Sequence, residues 1–179
     1  MLRSANYTVM AAAARKAGRA LVRDFNEVEH LQVSVKGPGN FVSAADKRAE
    51  QIIFNELSKA RPDFGFVMEE SGEVKGKDAS HTFIIDPLDG TTNFLHGIPL
   101  FAVSIGLVKD GVPVAGVIYN PIMDELYAAE RGKGAFFNDR RHHLRHPASG
   151  PRGSRALPPR DRAHAAGSRR PAPHGCGLD

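Results

Sequence analysis

A chain of 179 residues, 41% hydrophobic and 25% charged, has room for one core and the composition of an ordinary soluble domain. No stretch approaches the ~18 consecutive apolar residues of a spanning helix, and no apolar segment follows a basic start as in a secretory leader. The single cysteine, Cys176, excludes an internal disulfide and fits a reducing, cytoplasmic setting. The net charge of +4 is an average of two unlike parts. Residues 140–179 hold nine Arg against Asp161 and Asp179, a net of +7, which leaves a net of −3 on residues 1–139.

Residues 4–28 predict a long helix: Val9, Met10, Ala13, Ala17, Leu21, Val22 and Phe25 recur at helical spacing behind Ser4, a capping residue. Leu31–Lys36 alternates as a short strand does, and Gly37-Pro38-Gly39-Asn40 reads as a turn. Ser43 opens a second helix, with Ala49, Ile52, Ile53 and Leu57 on one face and Pro62 ending it. Strands are expected at Phe64–Met68, Thr82–Ile85, Ala102–Val108, Pro113–Tyr119 and Glu125–Ala129, with Gly72–Ser80 a polar loop. Lys109-Asp110-Gly111 and Asn120–Asp124 read as turns, Asp-Gly between apolar runs being a hairpin signal. Two helices followed by an antiparallel meander make a layered α/β (α+β) body. The body ends near Asp139. From Arg140 onward there is no Ile, Val, Phe, Tyr or Met, too little apolar surface to offset the entropy of ordering. The expectation is a body of residues 1–139 and a tail of residues 140–179 that is disordered or read out of frame.

The chemistry concentrates in Ile84-Ile85-Asp86-Pro87-Leu88-Asp89-Gly90-Thr91-Thr92-Asn93. An apolar strand runs into two carboxylates three residues apart, and Pro and Gly between strand and helix aim Asp86 and Asp89, with the Leu88 carbonyl, at one point. Such hard oxygens suit Mg²⁺ better than Zn²⁺. Gly90-Thr91-Thr92 begins a short helix whose free N–H groups face an anion. A metal beside a phosphate cradle points to phosphoryl transfer; an Asp-rich turn capped by Thr91 or Thr92 is the plainer alternative. Glu69-Glu70, at a strand end, is a candidate source of a further carboxylate, or a solvated strand end. Asp46, after Ser43, sits where acids favour a helix start in any case. Lys36 and the glycines after it read as a flap or a solvent-facing loop, and His96 as a surface or core residue. His142-His143-x-x-His146 is a weak chelator in a polar stretch, and Gly132-Lys133-Gly134 lacks phosphate-loop spacing.

Together these residues resemble the inositol monophosphatase family, Mg²⁺-dependent and lithium-sensitive phosphatases, with the bacterial extragenic-suppressor branch the nearest likeness. The signature D-P-[IL]-D-G-T-T-N-F stands as Asp86–Phe94, and Lys36, Ser43–Asp46, Glu69-Glu70-Ser71, Pro99–Gly106 and Arg131–Asn138 follow in family order, over residues 1–139. The resemblance implies an αβαβα sandwich. It implies a first Mg²⁺ on Glu69, Asp86 and the Leu88 carbonyl, a second on Asp86 and Asp89, and a third, water-rich site touched by Glu69. It also implies that the Gly90 and Thr91 amides cradle phosphate and that the Thr91 hydroxyl, backed by Asp46, activates water; Thr91, Asp46 and Glu69 are the catalytic set. The implied substrate is a small phosphorylated polyol, myo-inositol monophosphate, and the implied assembly a homodimer. Relatives acting on other sugar or nucleotide phosphates share the metal signature. The family's second signature, W-D-x-A-G, is absent, since the chain contains no Trp, and with it goes an Asp ligand of the second metal. The expectation is therefore a truncated or frameshifted chain with impaired activity. The alternative class is a non-catalytic protein of RNA or the transcription machinery, bound through Arg169-Arg170 and its neighbours; the tail's want of Phe, Tyr and Trp counts against specific base recognition.

Overall fold

The computed structural model describes residues 4–31 and 38–142, with side chains over 4–27 and 41–140. They belong to a compact unit, Met1–Leu144. Helices α1 (Ala5–Leu31) and α2 (Pro38–Ala60) come first. Then follow β1 (Phe64–Met68), β2 (Gly72–Val74), β3 (Asp78–Asp89), a short α3 (Thr91–Leu95), β4 (Ala102–Lys109), β5 (Val112–Asn120), β6 (Glu125–Glu130), β7 (Gly134–Phe137) and β8 (Arg140–His142). The strands form one sheet in the order β2-β1-β3-β4-β5-β6-β7-β8. Every neighbouring pair is antiparallel except β1 and β3, which run parallel.

Helix α1 begins at the predicted cap: Ser4 Oγ accepts the Tyr7 N–H at 3.0 Å. Its inner stripe is built of small residues, Ala13, Ala14 and Ala17, with Met10 and Leu21, all fully buried. Alanines let the helix axis approach its neighbours closely, and α2 answers with Ala45, Ala49, Ile53 and Leu57, also fully buried. Both helices pack against the sheet through the inward residues of β3, β4, β5 and β6: Phe83, Ile85, Val103, Ile105, Leu107, Val117 and Leu126. The registers Val103↔Tyr119 and Ile105↔Val117 keep these residues on one face, as a two-residue period requires. The β4–β5 connection is the Asp-Gly hairpin read from sequence, with Asp110 and Gly111 both left-handed at φ 50° and 76°.

Several sequence expectations need correction. Leu31 is the last residue of α1 and not the first of a strand, while the rest of that expected strand, residues 32–36, lies outside the described residues. The expected turn at Gly37–Asn40 is, from Pro38, the first turn of α2; proline suits a first helical position because its missing N–H has no partner to lose there. Ser43 therefore lies within α2, exposed, and does not open it. The expected loop at Gly72–Ser80 contains β2 and the start of β3, and the meander includes one parallel pair. Strand β7 was not expected, and β8 carries the sheet to His142, past the expected end of the body at Asp139. Residues 143–179, the bulk of the expected tail, lie outside the described residues. No helix among the described residues is long and apolar enough to cross a membrane.

Candidate functional site

The parallel pairing of β1 with β3 builds the site. Met68 stands opposite Ile85, so Glu69, the first residue past β1, comes beside Asp86 of β3. The Glu69 N–H still donates to the Ile85 carbonyl at 3.3 Å, continuing the ladder one step. The Glu69 carboxylate is close enough to Asp86 to raise its pKa. Glu69 thus lies beside Asp86.

Asp86 and Asp89 are three apart, and strict strand alternation would send them to opposite faces. The sheet register shifts between them against β4, from Asp86↔Ser104 to Asp89↔Ala102. This bulge re-aims the chain, and Pro87, which has no N–H to give a ladder, is suited to it. Asp86 Oδ1 accepts the Leu88 N–H at 3.1 Å, closing the turn locally. The chain then enters α3 through Gly90 in the left-handed region, φ 97° and ψ 31°, without a side-chain cap. A Cβ on Gly90 would lie 3.1 Å from the Leu100 carbonyl oxygen, so no side chain fits there without displacement. Beneath it, Phe94 is locked by Phe25 and Phe101, with ring centroids 5.3 Å and 4.9 Å away.

Helix α2 brings Asp46, only 4% exposed, to the same group. Burial chiefly, then the charges of Glu70, Glu69, Asp86 and Glu50, push its carboxyl up to about 7. Among the described residues Asp46 Oδ1 is buried without a hydrogen-bond partner. Asp86 is pushed up to about 6 by burial, by the charge and hydrogen bond of Glu69 and by Asp89, against the Leu88 N–H, which favours the charged form. Lys47 stands 4.0 Å from Glu70, an exposed pair that does little to offset so many carboxylates.

Crowded carboxylates with an orphaned buried oxygen among them fit a hard divalent cation. Among the described residues no three acidic, histidine or cysteine side chains already surround one point. The group is a contact pair with acidic neighbours, which suits Mg²⁺, a cation that commonly takes one or two carboxylates and keeps several waters.

Other residues singled out in the sequence make contacts of their own. The Thr91 hydroxyl donates to the Leu88 carbonyl at 3.0 Å and makes no hydrogen bond to Asp46. His96 is exposed, with Nδ1 2.8 Å from the Thr92 carbonyl oxygen, far from a ligand's role. Lys133 sits in a turn and pairs with Glu130 at 3.4 Å. Lys36 and the side chains of His142, His143 and His146 lie outside the described residues. The sequence reading overlooked Glu50, although an acid one turn beyond Asp46 inside an apolar stripe was a visible signal. It also overlooked the Asp78–Ser80–His81 cluster, in which Asp78 accepts from Ser80 Oγ at 2.6 Å and faces His81 Nδ1 at 2.7 Å. That cluster closes the start of β3 and lies outside the acidic group.

The model of the Inositol monophosphatase family matches residues 3–165, beyond the 1–139 over which the sequence resemblance extends. An inositol-1-monophosphatase of Mesorhizobium japonicum is 70% identical over 141 residues, covering 79% of this chain and 53% of that protein. A protein named Nus factor SuhB from Pasteurella multocida is 43% identical, covering 72% of this chain and 48% of its own length. The crystal structure of the extragenic suppressor protein suhB from Bartonella henselae superimposes with a TM-score of 0.69 at 71% identity, over 77% of this chain and 54% of that one. The chain spans about half the length of the curated relatives it matches.

Proposed function

The chain belongs to the inositol monophosphatase family, and from that membership we propose that the protein is a Mg²⁺-dependent phosphomonoesterase that hydrolyses myo-inositol monophosphate to inositol and phosphate. The observation that supports this reading is the closeness of Glu69 and Asp86 beside an Asp46 oxygen that has no partner among the described residues. Glu69, Asp86, Asp89 and the Leu88 carbonyl would hold Mg²⁺. When bound, Mg²⁺ neutralises charge developing on phosphoryl oxygens and lowers the pKa of water. The Gly90 and Thr91 amides, free of a side-chain cap, orient the phosphate. Asp46, held neutral or charged by its surroundings near pH 7, is suited to accept a proton through the Thr91 hydroxyl once that hydroxyl leaves Leu88. The same reading makes the protein lithium-sensitive, homodimeric and cytoplasmic.

The resemblance assigns a further ligand of the second metal to W-D-x-A-G, a stretch not found in these 179 residues. Losing several kcal/mol of charge stabilisation lowers turnover by roughly a thousandfold. The test is calorimetric Mg²⁺ binding together with phosphate release from myo-inositol 1-phosphate in millimolar Mg²⁺. Weak release that EDTA and Asp86→Asn both abolish is expected. An absence of Mg²⁺ binding, or release indifferent to Asp86→Asn, would remove the reading.

A second reading rests on relatives named Nus factor SuhB, 42–44% identical. Under it the protein serves the transcription machinery without catalysis, and its arginine-rich tail meets RNA through phosphate charge. Mg²⁺ binding with no phosphate release from any phosphomonoester, alongside salt-dependent RNA binding, would favour it.

A further inference from the structure

Glu50 is the most buried carboxylate among the described residues, 2% exposed, and it forms no ion pair with any of them. Burying an acid in an apolar helix stripe is costly unless its oxygens are hydrogen-bonded. Both are. Oε2 accepts the Glu70 N–H at 2.8 Å and Oε1 accepts the Ser71 hydroxyl at 2.5 Å. Glu70 and Ser71 form the turn that follows β1, immediately after Glu69. Glu69 is therefore fixed on both flanks: its own N–H is held by the Ile85 carbonyl of β3, and the two residues after it are held by Glu50 of α2.

We propose that Glu50 is a positioning residue that clamps the Glu70–Ser71 turn from α2 and so sets the Glu69 carboxylate against Asp86. It contributes as an acceptor of two hydrogen bonds and not as a ligand. An exposed acidic turn would otherwise swing Glu69 away from Asp86, since two carboxylates repel. α2 is the right element for the clamp because it also carries Asp46 one turn earlier, so one rigid helix places both the Asp46 oxygen and the Glu69 turn.

The clamp is independent of the proposed reaction, but its consequence for metal binding rests on the reading above. A partner that orients a ligand typically changes metal affinity by ~10–100-fold when lost. Three variants of the full chain separate the possibilities: Glu50→Ala, Glu50→Gln and Ser71→Ala. Two quantities are read at matched thermal stability: amide hydrogen exchange at Glu70, and Mn²⁺ affinity by calorimetry. Glu50→Ala is expected to speed Glu70 exchange and weaken Mn²⁺ binding at least tenfold. Glutamine can accept from Glu70 N–H and donate to Ser71 Oγ, so Glu50→Gln should restore both. Ser71→Ala removes one of the two hydrogen bonds, so it should weaken Mn²⁺ binding less than Glu50→Ala, and it serves if that variant does not fold. Unchanged Glu70 exchange in Glu50→Ala overturns the clamp, as does, if that variant does not fold, a Ser71→Ala that leaves both Glu70 exchange and Mn²⁺ affinity unchanged. Glutamine as damaging as alanine also overturns it, because charge and not positioning would then be the cause. If the unaltered chain binds no Mn²⁺, the metal reading falls, and the clamp is decided by Glu70 exchange alone.

Discussion

Asp46 and Asp86 illustrate how single residues depart from their ordinary behaviour. Both are raised from 3.8, Asp46 to about 7 and Asp86 to about 6, because burial and neighbouring acids disfavour their charged forms. The unfolded chain releases these protons at lower pH than the folded one. Their contribution to stability is therefore complete below about pH 4 and is lost as pH rises through about 6 to 7. Asp78 acts in the opposite sense: hydrogen bonds from Ser80 and His81 hold it at about 2, so its contribution is present above 3.8 and fades as pH falls toward 2. In EDTA the melting temperature should peak near about pH 4–5 and decline toward about pH 8, with Mg²⁺ lessening that decline by favouring the deprotonated carboxylates. A melting temperature that climbs steadily from pH 5 to about pH 8 in EDTA would contradict these assignments.

Among the elements, α1 shows how closeness is achieved. A Cβ built on Gly18 would lie 2.6 Å from Tyr119 Cε1 and 2.9 Å from the Pro121 Cβ. Tyr119 cannot easily yield, because it is buried on β5 and its hydroxyl donates to Asp124 at 2.8 Å. Alanine in place of glycine favours an exposed helix by about 1 kcal/mol, whereas forcing extra volume into a packed contact costs about 1–3 kcal/mol. Overpacking wins, and Gly18→Ala should lower stability by about 1–2 kcal/mol in urea unfolding. A stabilised Gly18→Ala would mean that α1 can shift on the sheet without penalty. Gly90 has a different reason for being glycine, its left-handed backbone, and the two positions show that spacing alone does not reveal which constraint applies.

The molecule as a whole buries one face of its sheet and leaves the other open among the described residues. Helices α1 and α2 cover the inward side chains, while Ile84 and Ile118 are 47% and 49% exposed on the other face with Val67 and Tyr127. Ser104, Gly106, Gly116, Ile118, Tyr127 and Phe137 line part of that face as an apolar groove of about 580 Å³. Contiguous exposed apolar surface drives association. Ile118→Lys should therefore reduce light scattering by concentrated chain while changing unfolding free energy by no more than about 0.5 kcal/mol, because the residue is half in solvent. Equal scattering from both proteins would show that association arises elsewhere.

The amino-acid sequence alone determined the family, the two-helix start, the principal strands and the acidic run Asp86–Asp89, because these depend on local periodicity and on a motif contiguous in the chain. Long apolar stripes such as Met10–Leu21 and alternations such as Val103–Leu107 are carried in a few neighbouring residues, and Asp110-Gly111 imposes its own turn. Only the tertiary structure decided that β1 and β3 run parallel, which is what puts Glu69 beside Asp86 across 17 positions of sequence. Parallel pairing has no turn signature, and strand order follows from how the helices cover the sheet. The same holds for Glu50: as a letter in α2 it is one more charge, and its role depends on a hydrogen bond to a backbone N–H 20 residues away. The boundary moved at Pro38, where glycine and proline suggested a turn, because a proline at a first helical position loses no hydrogen bond.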